Sequence, residues 1–174
     1  LENQTHNPEN VNYDNNLSTL ILTFKNEIEE GKYHTLTIKN IEDSEGNISD
    51  VITHKFLHYN AKEYDIVINE IMSDPSPQIE LPNWEYVELY NSSEFPINIK
   101  NWKLIIGSSE CLINEDVEIQ ADDYLILCNI DAVDELSQYG NCYGFSSFQI
   151  SNSGANLTLI DKNENYISSI DFDI

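Results

Sequence analysis

The strongest constraint on the fold is a two-residue alternation of apolar and polar side chains that recurs along the chain. In the segment 19–25, Leu20, Leu22 and Phe24 fall on one side of an extended backbone, and Thr23 and Lys25 fall on the other. This period is typical of β-strands, and the β-branched and aromatic residues that fill such segments favour strands as well. The segments that share this strand-like character are 19–25, 33–41, 51–59, 65–72, 84–90, 102–106, 123–128, 156–160 and 166–172.

Turn-forming residues separate these strands, for example at Gly46 and Gly154. The spacing between turns is often close to the 8–12 residues that are typical of β-sandwiches. The alternation slips by one residue before Trp102, which predicts a turn or bulge at Lys100-Asn101, because asparagine tolerates the left-handed conformation. The sequence therefore predicts an all-β, sandwich-like chain.

Two short segments have a helical pattern. We expect one helical turn within 24–31 and a short helix over 131–138, with the carboxylate of Asp131 as its cap. Neither segment is long enough to form a layer of a fold.

The charge of the chain excludes some classes of partner. The 174 residues include 31 acids and eight lysines, with no arginine, so the formal net charge is −23. A nucleic-acid binder needs a cationic surface, so we expect no direct binding of nucleic acid. No stretch approaches the ~20 apolar residues of a membrane span, so we expect no membrane insertion.

The charge also divides the chain. Residues 1–60 carry −6 and residues 61–174 carry −17. With a boundary near 59–64, this step predicts a partial β domain over 1–60, with about four strands, and a larger β domain over 65–174.

A cluster of acids in the segment 65–91 raises the question of catalysis. Asn69-Glu70 followed by Glu85 and Glu88 permits a carboxylate-dependent hydrolase that uses Glu70 with Glu85 or Glu88, because retaining glycosidases pair two carboxyl groups ~5 Å apart. A (β/α)₈ barrel, however, needs about 250 residues and eight helices. We therefore interpret these acids as the solvated face of two strands.

A calcium site is a further alternative. Asp161, Asn163 and Asn165 imitate the first ligands of an EF-hand loop, but Tyr166 stands where that loop needs glycine and Phe172 where it needs glutamate. The flanking strands favour a hairpin turn instead. We expect no cofactor and no dedicated metal site, with weak calcium binding by acidic loops as the remaining option.

Cysteine and histidine provide no clear site. Cys111, Cys128 and Cys142 contain no CxxC spacing, which argues against zinc, and pairing of Cys128 with either of the other two stays open. His54 and His58 lie four apart in a predicted strand, ~13 Å from each other, which is too far to share one metal ion.

Trp84 is the aromatic residue most suited to binding. It follows a proline-rich loop, so it either stacks on a carbohydrate or peptide or covers one end of the core. Trp102 begins an apolar strand and is expected in the core.

The same segments resemble the bacterial form of the lamin-tail domain. The motifs that carry the resemblance, in order, are IVINEIM…DPSP…LPNWEYVELYN (66–91), PINIKNWKL (96–104), ADDYLILC (121–128), YGNCYGF (139–145), FQISNSGANLTLID (148–161) and YISSIDF (166–172). Asn101 replaces the glycine that usually precedes the family's tryptophan. Residues 1–60, through EGKYHTLTIKNIEDSEGN (30–47), are similar to the last strands of a bacterial Ig-like domain.

The resemblance implies an immunoglobulin-like β-sandwich without catalysis of its own. It also implies a secreted, periplasmic or cell-surface bacterial protein in which this chain is an interaction and spacer module that presents or anchors a protein or carbohydrate partner. We expect the loops around 73–84 and 107–115 to contact that partner. The candidate binding residues are Trp84, Asn69, Glu70 and Glu88. The alternatives are the hydrolase and a calcium-stabilised adhesin.

Overall fold

The computed structural model describes residues 6–14 and 19–173, which form an all-β protein with 45% strand and 4% helix. The chain divides into two compact units, Leu1–Asn60 and Ala61–Ile174. Among the described residues, no helix is both long and apolar enough to cross a membrane. The predicted all-β sandwich class is confirmed.

The first unit contains two antiparallel hairpins in its described part. The strands are β1 (Asn10–Asp14), β2 (Thr19–Thr23), β3 (Lys32–Ile38) and β4 (Ile52–His58). No described residue of this unit is buried, and Val11 and Tyr13 are more than half exposed. The described strands therefore do not enclose a hydrophobic core.

The helical turn predicted at 24–31 is wrong. The carbonyl oxygens of Ile28 and Glu29 lie 2.9 and 2.7 Å from ring nitrogens of His58 and His34, so these groups bond to neighbouring strands instead of to a helix. Gly31, with φ of 72°, then turns the chain into β3.

The second unit is a sandwich of two four-stranded sheets and a small two-stranded one. The front sheet has the order β12-β11-β6-β5, the back sheet has the order β14-β13-β8-β9, and β10 pairs with β7. The strands are β5 (Ile66–Met72), β6 (Tyr86–Asn91), β7 (Ile97–Asn98), β8 (Lys103–Ile106), β9 (Ser109–Leu112), β10 (Glu118–Ile119), β11 (Tyr124–Asn129), β12 (Cys142–Phe145), β13 (Ala155–Ile160) and β14 (Tyr166–Phe172).

The main core consists of the alternate apolar residues predicted from the period-two pattern. Leu89 on β6 and Leu127 on β11 are completely buried, as is Leu159 on β13 of the back sheet. Trp102 is buried, as predicted. Asn101 before it takes a φ of 63°, which confirms the predicted turn and shows how asparagine replaces a glycine there.

The front sheet also buries part of its outer face. Tyr86, Ile126 and Cys128 form an outer cluster with Ala132 and Leu136. The last two belong to the connection between β11 and β12, which are parallel and therefore need a crossover. That crossover contains a 3₁₀ turn (Ile130–Ala132) and the one-turn helix α1 (Val133–Leu136).

The helix predicted over 131–138 is thus confirmed, but its cap is not Asp131. The side chain of Asn129 accepts a hydrogen bond from the backbone N–H of Asp131 at 3.0 Å. Asparagine performs this role well, because its side-chain oxygen reaches the N–H two residues ahead.

Candidate interaction surface

Pairing of β5 with β6 brings two of the predicted acids together. Glu70 lies directly opposite Glu88, and the register shifts between Ile68 and Glu70, which leaves Asn69 as the extra residue of a bulge. From there the Asn69 side-chain amide donates to Glu88 Oε1 at 2.8 Å. The pairing of β5 with β6 thus places Glu70 and Glu88 at facing positions of neighbouring strands.

Each of these carboxylates has a neutral hydrogen-bond donor in place of a cation. The hydroxyl of Tyr86 donates to Glu70 Oε1 at 2.6 Å. Burial, followed by this hydrogen bond and by the charges of Glu70 and Glu88, raises the pKa of Tyr86 well above its ordinary value. Tyr86 therefore remains a neutral donor over the working range of pH.

Glu85, the third acid of the hydrolase alternative, has a structural role. Its Oε2 accepts a hydrogen bond from the backbone N–H of Ile150 at 2.8 Å, so it connects the start of β6 to the segment before β13. The carboxylate is half-buried and committed to that contact. The arrangement does not bring Glu85 into a carboxylate pair with Glu70.

Trp84 covers part of the outer face of the front sheet. It is half-buried and packs against the outer cluster together with Met72 and Leu81. The loop 73–84 therefore folds back over the sheet, and Trp84 acts as a lid there, not at an end of the main core. Ile79, in the same loop, is 76% exposed.

The second predicted contact segment, 107–115, is a loop for only part of its length, because four of its nine residues belong to a strand. Gly107 begins the turn of a hairpin, and β9 follows immediately, paired with β8. Cys111 on β9 is buried toward the sandwich interior. The loop expected over this segment is therefore interrupted by β9, which was not identified as a strand from the sequence. Its contact with a partner stays a prediction.

The calcium candidates form the turn between β13 and β14. Asp161 Oδ1 accepts hydrogen bonds from the backbone N–H groups of Asn163 and Asn165, both at 2.8 Å, and its Oδ2 accepts from the Asn165 amide at 2.9 Å. Both oxygens of this buried carboxylate thus stabilise the hairpin. In residues 6–14 and 19–173, no group of three histidine, cysteine or acidic side chains has the arrangement of a metal site.

All three cysteines are free thiols. Cys111 lies in the back sheet and Cys128 in the outer cluster of the front sheet, so that pair cannot meet. Cys128 and Cys142 are neighbours on adjacent strands. Burial, the neighbouring Cys142 and a hydrogen bond with it raise the pKa of Cys128 to about 12, so its reactive thiolate form is suppressed.

An open groove on the front sheet was missed from the sequence. It has a volume of about 460 Å³, and we call it the front groove. Glu88, Asp123, Tyr124 and Ile126 line it from the sheet, and the segment 137–141 lines it from the end of the crossover. The alternation in DDYLILC, which places Tyr124 on the same face as Ile126, was the only sequence signal for this groove. No sequence pattern indicates that the segment 137–141 lies opposite.

Asn91 was also missed. Its completely buried side chain donates to the carbonyl groups of Phe95 and Ile119 at 2.8 and 2.9 Å and accepts from the backbone N–H and the hydroxyl of Ser93. Every hydrogen-bonding position of the amide is used. The residue connects the end of β6 to two loops, and an asparagine at a strand end gives no sign of this in sequence.

The fold and these contacts define an immunoglobulin-like β-sandwich whose paired acids lie on a strand face. A family model described as Lamin Tail Domain matches residues 60–173, and the chain belongs to this family. Such domains are typically non-catalytic, and this membership suggests an interaction module. A search of curated proteins found no match to the chain.

Proposed function

We propose that this chain is a non-catalytic interaction and spacer module of a secreted or cell-surface bacterial protein, in which it presents or anchors a partner. Membership of the lamin tail domain family is the observation that carries the proposal. The contacts of the acids support it, because Glu70, Glu85 and Glu88 are each occupied by a neutral donor. The partner is a protein that contacts the front sheet and the loop 73–84.

The exposed tip of the loop 73–84 supports the choice of that surface. An isoleucine that is 76% exposed offers apolar area to a partner at the edge of a polar surface. Replacement of Ile79 by serine leaves the packing of Trp84 and Leu81 intact. We expect the Ile79→Ser chain to keep its stability and to lose capture of the partner from a surface extract. Equal capture by both chains would reject the loop as the contact.

Location has its own test. An antibody raised against the chain should detect the parent protein on intact cells, and external protease should remove the signal. A signal confined to the cytoplasmic fraction would overturn the proposed location. Turnover of glycosides or esters by the purified chain, abolished in Glu70→Gln, would overturn the non-catalytic role.

We also propose that the first unit is part of a bacterial Ig-like domain. The support is that its two hairpins leave every described residue at least partly exposed, unlike the strands of a complete sandwich. Hydrogen exchange on the chain should then be fast in β1 to β4 and slow in β6 and β11. Slow exchange in β3 and β4, equal to that in β6, would contradict the assignment.

A further inference from the structure

The front groove has the chemistry of a binding site for a cationic side chain. Two tyrosines that face solvent border it, since Tyr124 and Tyr139 are 43% and 51% exposed. Glu88 and Asp123 add two carboxylates to the lining, and no lysine is among the lining residues. An aromatic face beside carboxylates attracts an ammonium or guanidinium group through both the ring quadrupole and the net charge.

The tyrosine on the sheet side is held in place. The Tyr124 ring packs on the Tyr90 ring with centroids 4.8 Å apart, and the Tyr90 hydroxyl donates to Asp122 at 2.9 Å. Asp123 caps the backbone N–H of Tyr124 at 2.9 Å. The ring is therefore already oriented, which reduces the entropy lost on binding.

The opposite wall is anchored as well. The backbone N–H of Tyr139 donates to Leu136 O, and the N–H of Ile126 donates to Asn141 O at 2.8 Å. The segment 137–141 is thus bonded both to α1 and to β11. The volume of 460 Å³ lies within the ~300–1,000 Å³ of typical ligand sites.

Charge decides between the two partner classes expected from the sequence. A neutral carbohydrate would cover Glu88 and Asp123 without compensating their charges, whereas a cationic side chain compensates them. The long-range field favours the same choice, because residues 61–174 carry a net charge of −17.

We propose that the front groove binds a lysine side chain of an extended, basic segment in a partner protein. The inference rests on the proposed interaction function and names the chemistry of the partner. The ammonium group lies between the rings of Tyr124 and Tyr139 and is neutralised by Glu88 and Asp123. The flanking residues of the partner segment run over the outer face of the front sheet beside Tyr124.

The test uses the full 174-residue chain and a tetralysine peptide, with titration followed by NMR or calorimetry. We expect saturable binding that shifts the amide signals of 123–126 and 137–141 and weakens several-fold when sodium chloride rises from about 20 to about 300 mM. The peptide acetylated on every lysine should not bind, because acetylation removes the charge.

Two groove variants and one matched control separate this site from general attraction. Tyr139→Ala and Asp123→Asn should each weaken binding about fivefold, and asparagine at 123 retains an oxygen that can accept from Tyr124. Glu115→Gln removes one exposed negative charge outside the groove and should change the affinity less than about twofold.

Equal weakening by Glu115→Gln and Asp123→Asn would overturn the proposal, since it would indicate diffuse attraction only. Equal binding of the acetylated peptide, or salt-independent binding of a neutral oligosaccharide in the groove, would overturn it too. The assay uses the purified chain, so a cytoplasmic location, which would contradict the proposed function, leaves this result unaffected.

Discussion

Gly144 is the position where the crossover and the front sheet approach most closely, and its substitution tests the account of the outer face. A Cβ atom added there would lie 2.7 Å from Ile130 Cα and 2.7 Å from Val133 Cγ2. The first of these atoms is backbone and cannot rotate away. The crossover would have to move by about 0.7 Å to restore an ordinary contact of 3.4 Å.

The expected cost follows from two opposing terms. Overpacking of this kind costs about 1–3 kcal/mol, and the higher strand propensity of alanine returns about 0.5–1 kcal/mol. We therefore expect Gly144→Ala to lower the free energy of unfolding of the second unit by about 1–2 kcal/mol. Displacement of the crossover would also separate Ala132 and Leu136 from the outer cluster.

Urea denaturation followed by tryptophan fluorescence measures this loss of stability for the second unit, because both tryptophans, Trp84 and Trp102, lie in that unit. The midpoint should fall by about 0.5–1.5 M. Gly140→Ala is the matched control, since its added Cβ would meet only Ile126 Cδ1, at an ordinary 3.6 Å. If both variants have equal stability, the close approach of the crossover is refuted.

Three further predictions test other contacts in the second unit. Asn91→Ala should lower the free energy of unfolding by about 2–4 kcal/mol, because it leaves buried carbonyl and N–H groups unpaired, whereas Asn98→Ala at an exposed site should cost less than about 1 kcal/mol. Although burial raises the pKa of Asp161, hydrogen bonds from Asn165 and Asn163 outweigh it and hold this pKa below its ordinary value. The ionised carboxylate therefore stabilises the fold above the unfolded pKa of ~3.9, and this stabilisation is lost as the pH falls through the lower folded pKa. The free energy of unfolding measured in urea should accordingly decline less steeply below about pH 4 in Asp161→Asn than in the parent chain. Glu70→Gln keeps an acceptor for the Tyr86 hydroxyl and removes the like-charge pair with Glu88. Its urea midpoint should therefore be unchanged or higher by up to about 0.5 M. A large decrease in the midpoint would contradict the observed register of β5 and β6.

Period-two alternation was sufficient to predict the strands that contribute one face to the main core. The strands β5, β6, β11, β13 and β14 begin and end within two residues of their predicted bounds. In β6 and β13 the alternating apolar residues turn inward, so the pattern alone specifies the core face. β11 is apolar on both faces, because Ile126 and Cys128 belong to the outer cluster. The pairing of Glu70 with Glu88 was not predictable in this way, because the bulge at Asn69 shifts the alternation of β5 by one residue.

In three of the strands that were missed from the sequence, β7, β10 and β12, alternation is absent or too short to detect. In β12, Gly144 occupies the outer face because the crossover leaves no space for a side chain. β7 and β10 have only two residues each, too few to show a period. Parallel pairing of β11 with β12 depends on the crossover, a tertiary feature that no local pattern encodes.

The outer face of the front sheet explains why the candidate site was only half predictable. At the end of the sheet where Cys128 lies opposite Tyr86, the crossover covers the strands. At the end where Tyr124 lies opposite Tyr90, the strands remain open, because α1 is only one turn long. The front groove lies at the border between these two halves. The acidic and aromatic residues of the groove can be read from the sequence. Its concave shape cannot, because the shape depends on where the four-residue helix ends and the segment 137–141 returns to the sheet. The groove therefore follows from the length of the crossover and not from any motif.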